Sequence, residues 1–148
     1  MIAIGSDHGG YKLKNEIKKY LEEIGLEYKD VGTDSETRTD YPIYAKQVGQ
    51  LVSEKKCEKG VLICRSGHGM EIAANKFKGV RAASITNEED ARMAKSDDNV
   101  NVLCLGADCL ATDEAIRIMR VWIATEFKGG RYQERLDMIK KKKKENMK

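Results

Sequence analysis

A glycine-rich turn with an aspartate and a histidine follows the first apolar segment of the chain. Residues 1–6 are mostly apolar, and Asp7, His8, Gly9 and Gly10 come directly after them, before a helical pattern begins. Glycines let a backbone approach a ligand closely, and free N–H groups at the start of a helix favour an anion. A tight turn capped by an aspartate has the same pattern. The turn therefore indicates either a ligand contact or a structural cap, and residue types alone do not decide between them.

A cysteine ends the clearest apolar run, residues 60–64, and the glycine-rich loop 65–69 follows it. At the end of a strand and facing the start of a helix, the Cys64 thiolate would be favoured by the helix dipole and by a nearby cation. The loop N–H groups could hold a developing oxyanion. The alternative is a buried structural thiol, the usual state of a free cysteine. Cys57, Cys104 and Cys109 lack such surroundings, and we expect them to be structural.

Two charged pairs complete the candidates. Asp97 and Asp98 precede the last predicted strand, and we expect them at the same sheet edge as the two loops above. They could serve acid–base chemistry or form a solvated turn. Arg131 and Arg135 lie four residues apart, on one face of a predicted helix. Such a pair could clamp a phosphate or form a surface ion-pair face with nearby acidic residues.

Short apolar runs alternate with amphipathic segments along the chain, and this alternation predicts how the candidates are positioned. It predicts a parallel sheet with helices on both faces, whose strands end at one common edge where ligands bind. The predicted fold is α/β, a Rossmann-like three-layer sandwich with a five-stranded parallel sheet and an extra C-terminal helix. Asn87 and Thr112 are the predicted N-caps of two helices. The predicted strands are 1–6, 26–31, 60–64, 80–85 and 101–105, and the predicted helices are 11–24, 41–53, 67–76, 87–95 and 112–126, with a polar helix after residues 129–130.

Composition limits the classes of protein to consider. The 148 residues, 41% of them hydrophobic, fit one domain, predicted at 1–139 with a basic tail at 140–148. The five lysines at 140–144 have no interleaved aromatic residues, so we expect a solvated helix end and no nucleic-acid partner. No apolar run is long enough for a bilayer and no signal-peptide pattern opens the chain, which predicts a cytoplasmic protein without a membrane partner. Four cysteines without a C-x-x-C pair and only two histidines predict no metal site.

Five segments in sequence order resemble one enzyme family over residues 1 to 139: 5–10, 40–42, 72–76, 79–83 and 129–131. The sequence resembles the ribose-5-phosphate isomerase B family, which includes the galactose-6-phosphate isomerase subunits. The resemblance implies a phosphorylated sugar as substrate and aldose–ketose isomerisation through an enediolate, without a metal or organic cofactor. It also implies a homodimer with sites between the subunits, and a tetramer is left open.

The resemblance also implies roles for individual residues. Cys64 matches the base that moves a proton between C1 and C2, and the loop 65–69 matches the anion-holding loop. Asp7 and His8 match substrate contacts, and Arg131 and Arg135 match phosphate contacts. The candidate catalytic residues are thus Cys64, Asp97 and Ser66, and the candidate substrate-binding residues are Asp7, His8, Arg65, Gly67, His68, Gly69, Asp98, Arg131 and Arg135.

The chain departs from the family pattern at the site itself. Asp97 stands where the family has a ring-opening histidine, and Asp98 where it has an asparagine. Arg65 replaces a glycine, Ser66 a threonine, and Asp108 a substrate-binding arginine. These departures leave open a change of substrate, to a tetrose or hexose phosphate, and a non-catalytic sugar-phosphate binder. The retained Cys64 argues against the binder, since binding alone needs no thiolate.

A relocation of the lost groups is a further hypothesis. His68 would supply the acid–base chemistry, and Arg65 would supply positive charge near the ligand, the thiolate or Asp97. The alternative is that His68 is merely exposed and that Arg65 pairs with Asp97 or Asp98.

Overall fold

Five parallel strands form one sheet at the centre of the computed structural model, which describes residues 1–147. The spatial order of the strands is β2-β1-β3-β5-β4. The α/β prediction with five parallel strands is confirmed, and the last residue of the predicted 140–148 tail lies outside the described range. The strands are β1 (Ile2–Ser6), β2 (Tyr28–Gly32), β3 (Lys59–Cys64), β4 (Ala82–Ser84) and β5 (Val102–Gly106), and the helices are α1 (Tyr11–Glu23), α2 (Tyr41–Ser53), α3 (His68–Ala74), α4 (Glu88–Asp98), α5 (Thr112–Ala124) and α6 (Arg131–Asn146).

Two hydrophobic cores lie on opposite faces of the sheet, because successive strand side chains point to opposite sides. In β3, Val61 and Ile63 pack in the core that contains Ile17 of α1 and Trp122 of α5. The other β3 side chains, Leu62 and Cys64, belong to the core against α2 and α3, with Val48 and Met70. The register of β3 therefore places the Cys64 side chain on the α2–α3 side.

A buried lysine fixes the segment that leaves β2. The Lys14 side chain is almost fully enclosed, and its ammonium donates to Asp30 at 2.7 Å and to the Thr33 carbonyl at 2.6 Å. The Thr33 N–H in turn donates to the Ser6 carbonyl at the end of β1. A buried charge is tolerated when it is paired and hydrogen-bonded in this way. The start of the β2–α2 segment is thereby held beside the end of β1.

The helix starts agree with the predicted caps in one of two cases. Asn87 caps α4, and its side chain accepts the Asp90 N–H at 2.8 Å. Thr112 as a cap is wrong, because it is already the first residue of α5 and Ala111 occupies the cap position. The Glu114 side chain accepts the Ala111 N–H at 3.0 Å, so a main-chain N–H at the start of this helix is hydrogen-bonded by a carboxylate of the first turn.

The C-terminal helix lies against the rest of the molecule without burying any of its residues. The Lys143 ammonium donates to the carbonyls of Asn75 and Phe77, at 2.8 and 2.6 Å, just beyond the end of α3. Partial burial lowers the pKa of Lys143 below its ordinary value. Residues 140–146 of the predicted basic tail continue α6. Within residues 1–147, no helix combines the length and apolar character needed to cross a membrane.

Candidate active site

Cys64 lies at the carboxyl end of the central strand β3, with 5% of its surface exposed. Its Sγ accepts the Gly67 N–H at 3.1 Å. Its carbonyl accepts the Ala107 N–H at 2.8 Å, which ties the loop after β5 to the loop after β3. The Cys64 sulfur therefore lies directly against a main-chain donor of the loop 65–69.

Close contacts around Gly67 and Gly69 of the loop 65–69 leave little room for a side chain at either position. Gly67 has a φ of +86°, and a Cβ there would lie 3.2 Å from the main chain of Leu105. A Cβ on Gly69 would lie 2.5 Å from the ring of Tyr41. Ser66 Oγ accepts the His68 N–H at 3.3 Å, while the His68 side chain is exposed and its ring has no hydrogen bond to residues 1–147. The loop is shaped by its own backbone and by the aromatic ring that covers it.

The turn after β1 packs directly on the Cys64 strand. The Asp7 N–H donates to the Ile63 carbonyl at 3.3 Å, and a Cβ on Gly10 would lie 2.5 Å from the same carbonyl oxygen. Asp7 is 7% exposed, and its Oδ1 accepts the Gly10 N–H at 3.2 Å. The aspartate therefore caps the turn, and the turn places His8 at the sheet edge that Cys64 occupies.

The His8 ring is held by main-chain groups of the β2–α2 segment. Its Nδ1 lies 3.1 Å from the Thr39 carbonyl oxygen and 3.2 Å from the Thr39 nitrogen. Thr39 Oγ1 is hydrogen-bonded to the Tyr44 hydroxyl at 2.9 Å, which ties this segment to α2. The orientation of the imidazole is thus fixed by a segment far from it in sequence.

Arg65 extends over the His8 turn. A Cβ on Gly9 would meet the Arg65 side chain at 2.6 Å, and the Arg65 guanidinium lies 3.5 Å from Asp108 Oδ2. Both side chains are more than half exposed, so this ion pair contributes little to stability. The alternative in which Arg65 pairs with Asp97 or Asp98 does not hold within one chain, because those residues lie at the other end of the sheet.

The position expected for Asp97 and Asp98 was also wrong. They form the last turn of α4, and α4 runs antiparallel to the strands, so its end lies at the edge where the strands begin. Lys128 lies 2.9 Å from Asp97 Oδ1, and Ser96 Oγ donates to the same oxygen at 3.0 Å. These two contacts, Lys128 first, lower the pKa of Asp97 below its ordinary value.

Three cations surround one aromatic ring beside Asp97, and we call this group the Tyr132 cluster. The Lys128 ammonium lies 4.9 Å from the centre of the Tyr132 ring, and the guanidinium carbons of Arg131 and Arg135 each lie 5.3 Å from it. The hydrogen bond from Arg131 and the charge of Lys128 lower the pKa of Tyr132. Arg131 and Arg135, predicted as a phosphate clamp, are thus close together and belong to a strongly positive patch.

The predicted site residues therefore form two groups within one chain. Strand β5 separates the edge that carries Cys64 from the edge that carries Asp97, and its five residues span about 16 Å. One group contains Asp7, His8, Cys64, Arg65, Ser66, Gly67, His68 and Gly69, and the other contains Asp97, Asp98, Arg131 and Arg135.

Three residues near these groups were missed in the sequence: Thr39, Tyr41 and Lys128. Nothing in the local pattern marks Thr39, because its main chain makes the contact with His8. In the sequence, Tyr41 resembles an ordinary first residue of a helix, and nothing distinguishes Lys128 from the other lysines. No group of three or more histidine, cysteine or acidic side chains suited to a metal ion occurs in the described part of the chain.

Comparisons with known proteins agree on one family. Residues 2–139 match the family model described as Ribose/Galactose Isomerase. Ribose-5-phosphate isomerase B of Escherichia coli is 41% identical over 138 residues, which cover 93% of each chain. The structure of ribose-5-phosphate isomerase B from Clostridium thermocellum superimposes with a TM-score of 0.96 at 42% identity and 97% coverage of both chains. That of Mycoplasma genitalium with bound ribulose 5-phosphate gives 0.94 at 38% identity, covering 98% of this chain and 97% of the other.

The family match covers the whole sheet and both groups of candidate residues. The similarity of fold and sequence extends over nearly the full length of each of these relatives. The chain therefore belongs to the ribose/galactose isomerase family of enzymes.

Proposed function

We propose that the chain isomerises a phosphorylated sugar between its aldose and ketose forms, of the ribose 5-phosphate and ribulose 5-phosphate type, with Cys64 as the base. The observation that carries this proposal is the Cys64 thiol at the carboxyl end of β3, with the Gly67 N–H directed at its sulfur at 3.1 Å. Family membership and the relative with bound ribulose 5-phosphate support the class of substrate.

The chemistry follows from the placement of the thiol. The Cys64 thiolate removes the proton from C2 of the open-chain aldose, and the electron pair forms the C1–C2 double bond of an enediolate as the C1 carbonyl oxygen takes the negative charge. The proton on O2 then passes to O1, and the thiol returns its proton to C1 as the C2 carbonyl forms, which gives the ketose. Ser66 and the N–H groups of the loop 65–69, Gly67 and Gly69 among them, stabilise the negative charge on the enediolate oxygen. Asp7 contacts the sugar from the neighbouring turn, and His8 of the same turn binds the phosphate together with Arg131 and Arg135. Arg65 and His68 border the same site.

The phosphate is bound by the Tyr132 cluster of a second copy of the chain. Arg131 and Arg135 present two guanidinium groups at the same ring, a geometry suited to phosphate oxygens. Because about 16 Å of β5 separates them from Cys64 in one chain, a homodimer with each site built from both subunits is the arrangement that unites them. Asp97 and Asp98 would enter the site from the same second copy.

An activity panel tests the function. Sugar phosphates of four, five and six carbons are incubated with the protein, and the aldose-to-ketose ratio is followed by NMR. Turnover of a pentose phosphate is the expected result. Turnover of only a tetrose phosphate would favour the altered-substrate alternative, and turnover of none would contradict the proposal and favour a binding protein.

The role of Cys64 is tested by Cys64→Ala. Loss of a positioned base is expected to lower kcat by about 100-fold or more. Cys109→Ala is the control. Cys109 is exposed, so the expectation that it is a buried structural cysteine is wrong, and we assign it no part in the proton transfer. A Cys64→Ala protein that keeps the parent's kcat would show that another group moves the proton.

A further inference from the structure

We propose that Tyr132 is a positioning residue for phosphate binding, because its ring holds the guanidinium groups of Arg131 and Arg135 in place before the substrate arrives. The inference rests on the proposed function, in which these two arginines bind the phosphate, and it deepens that function by naming the residue that orients them. Tyr132 acts through the arginines and makes no contact of its own with the substrate.

The ring and the two arginines lie at the start of α6. Arg131 is the first residue of this helix, and Arg135 lies three residues after Tyr132, so the side chains are neighbours on its surface. The guanidinium carbon of each arginine lies 5.3 Å from the centre of the Tyr132 ring. Arg131 Nη2 also lies 3.4 Å from the Tyr132 hydroxyl oxygen. One half-buried ring therefore contacts both of the proposed phosphate ligands.

No carboxylate competes with the ring for these two guanidinium groups. Glu134 and Asp137 lie on the same helix, yet across residues 1–147 no ion pair joins an acidic side chain to either arginine. Asp137 accepts a hydrogen bond from the Gln133 side chain at 2.8 Å instead. The surface ion-pair face that was the alternative to a phosphate clamp is thus not formed, and the charge of both arginines is left for a ligand.

Lys128 is the third cation on the ring, and its charge is balanced separately. Its ammonium lies 4.9 Å from the centre of the Tyr132 ring and 2.9 Å from Asp97 Oδ1. The Lys128 N–H donates to the Ser96 carbonyl at 3.0 Å, which fixes the segment before α6 against the end of α4. The ring therefore lies between an anchored lysine and two arginines that have no acidic partner.

A shared aromatic ring favours the assembly of two like charges. Guanidinium groups are attracted to an aromatic face, and this attraction opposes the repulsion between them. An arginine side chain that is already ordered loses less conformational freedom when it binds phosphate. Without the ring, the ligand itself would have to order both side chains. The expected consequence is weaker phosphate binding with no change in the chemical step.

Replacing the ring while the arginines stay in place tests this role. Tyr132→Leu and Tyr132→Met both remove the aromatic face, and binding of inorganic phosphate, measured by calorimetry, is expected to weaken by about 10-fold in each. Tyr132→Phe keeps the face and is expected to bind phosphate within about two-fold of the parent. Tyr28→Leu is the matched control, because Tyr28 is a half-buried tyrosine outside the cluster with the Lys18 ammonium 5.9 Å from its ring centre.

Kinetics separates positioning from a merely structural role. With a pentose phosphate as substrate, Tyr132→Leu should raise KM by about 10-fold and leave kcat near the parent's value, because the arginines bind the phosphate equally in the ground state and the transition state. Tyr132→Phe should restore the parent's KM. A variant that was only destabilised would instead lose kcat through its unfolded fraction, and urea unfolding measures that fraction for each protein.

The outcomes distinguish this inference from the proposed function. Phosphate binding that is unchanged in Tyr132→Leu overturns the role of the ring, and so does an equal loss in Tyr132→Phe, because the hydroxyl would then contact the phosphate itself. A protein with Arg131→Ala and Arg135→Ala is measured in parallel. If it binds phosphate as tightly as the parent, the proposed phosphate site is wrong, whereas if it loses phosphate and Tyr132→Leu keeps it, only the role of Tyr132 is wrong.

Discussion

At the scale of single residues, Gly67 joins backbone conformation to chemistry. Its positive φ turns its N–H toward Cys64 Sγ, and a side chain at this position would press on the main chain of Leu105. The sequence predicted a glycine-rich, anion-holding loop, but it did not indicate which N–H faces the sulfur, because that depends on the dihedral angles of one residue.

We expect Gly67→Ala to slow the reaction by more than its cost in stability explains. Holding alanine at positive φ costs about 1–2 kcal/mol, and the contact with Leu105 shifts the loop that aims the N–H at Cys64. Gly25→Ala is the matched control, since Gly25 has a φ of +74° and open space around it. Both variants should lose unfolding free energy in urea, Gly67→Ala the more because of its contact with Leu105, and only Gly67→Ala should lower kcat, by about 10-fold or more. Equal kcat values for the two variants would contradict a role for the Gly67 N–H.

The arginines of the Tyr132 cluster give a second prediction at this scale. Arg131→Ala or Arg135→Ala should raise the KM for a phosphorylated substrate by about 10- to 100-fold, because each substitution removes a charge-assisted contact. Binding of the dephosphorylated sugar should change little. Arg120→Ala, an exposed arginine on α5, is the control. Equal losses for both ligands would argue against phosphate binding by the cluster.

At the scale of elements, the sequence predicted the strands and helices from their periodicity. It gave the wrong sheet edge for residues whose position depends on the direction in which a helix runs. The alternation of apolar runs and amphipathic helices predicted the strands and the parallel sheet, because a strand that is buried on both faces is apolar along most of its length. It did not indicate that Asp97 and Asp98, at the end of a helix, lie at the opposite edge from residues at the end of a strand. The contacts of Lys143 with the end of α3 were also hidden, because they join a lysine run to backbone carbonyls 66 and 68 residues away.

Of Lys142 and Lys143 in the basic run, we expect only Lys143 to contribute to the free energy of unfolding. Lys143→Met removes two charge-assisted bonds to the carbonyls after α3, and a loss of about 1.5–3 kcal/mol is expected in urea unfolding. Lys142→Met is the matched control, because Lys142 is exposed on the same helix. Equal unfolding free energies for the two variants would mean that the Lys143 contacts contribute nothing to stability.

At the scale of the whole molecule, the two groups of candidate residues lie at opposite edges of one sheet. The thiol, the histidine turn and the glycine loop occupy one edge, and the Tyr132 cluster occupies the other. A two-fold dimer in which each copy presents both edges would build two equivalent sites. The sequence could place these residues on elements, but any pairing of edges between two copies would depend on shape, which no local pattern encodes.

Mixing two defective variants, assayed at a substrate concentration far below the KM of the arginine variant, tests this shared site directly. One variant carries Cys64→Ala, and the other carries Arg131→Ala with Arg135→Ala, so each homodimer is defective at both of its sites. If Cys64 of one copy works with the arginines of the other, a mixed dimer has one site with both defects and one intact site. Random exchange makes half of the dimers mixed, so activity should return to about a quarter of the parent's after co-refolding.

The same mixture distinguishes a site built within one chain. If Cys64 and the arginines of a single copy worked together, every site in a mixed dimer would carry one defect, and mixing would restore nothing. A mixture of Cys64→Ala with itself, refolded in parallel, gives the background rate, and sedimentation of the samples checks that dimers form. Recovery therefore requires both that the chain dimerises and that its two edges meet across the dimer interface, which joins the catalytic thiol to its phosphate contacts.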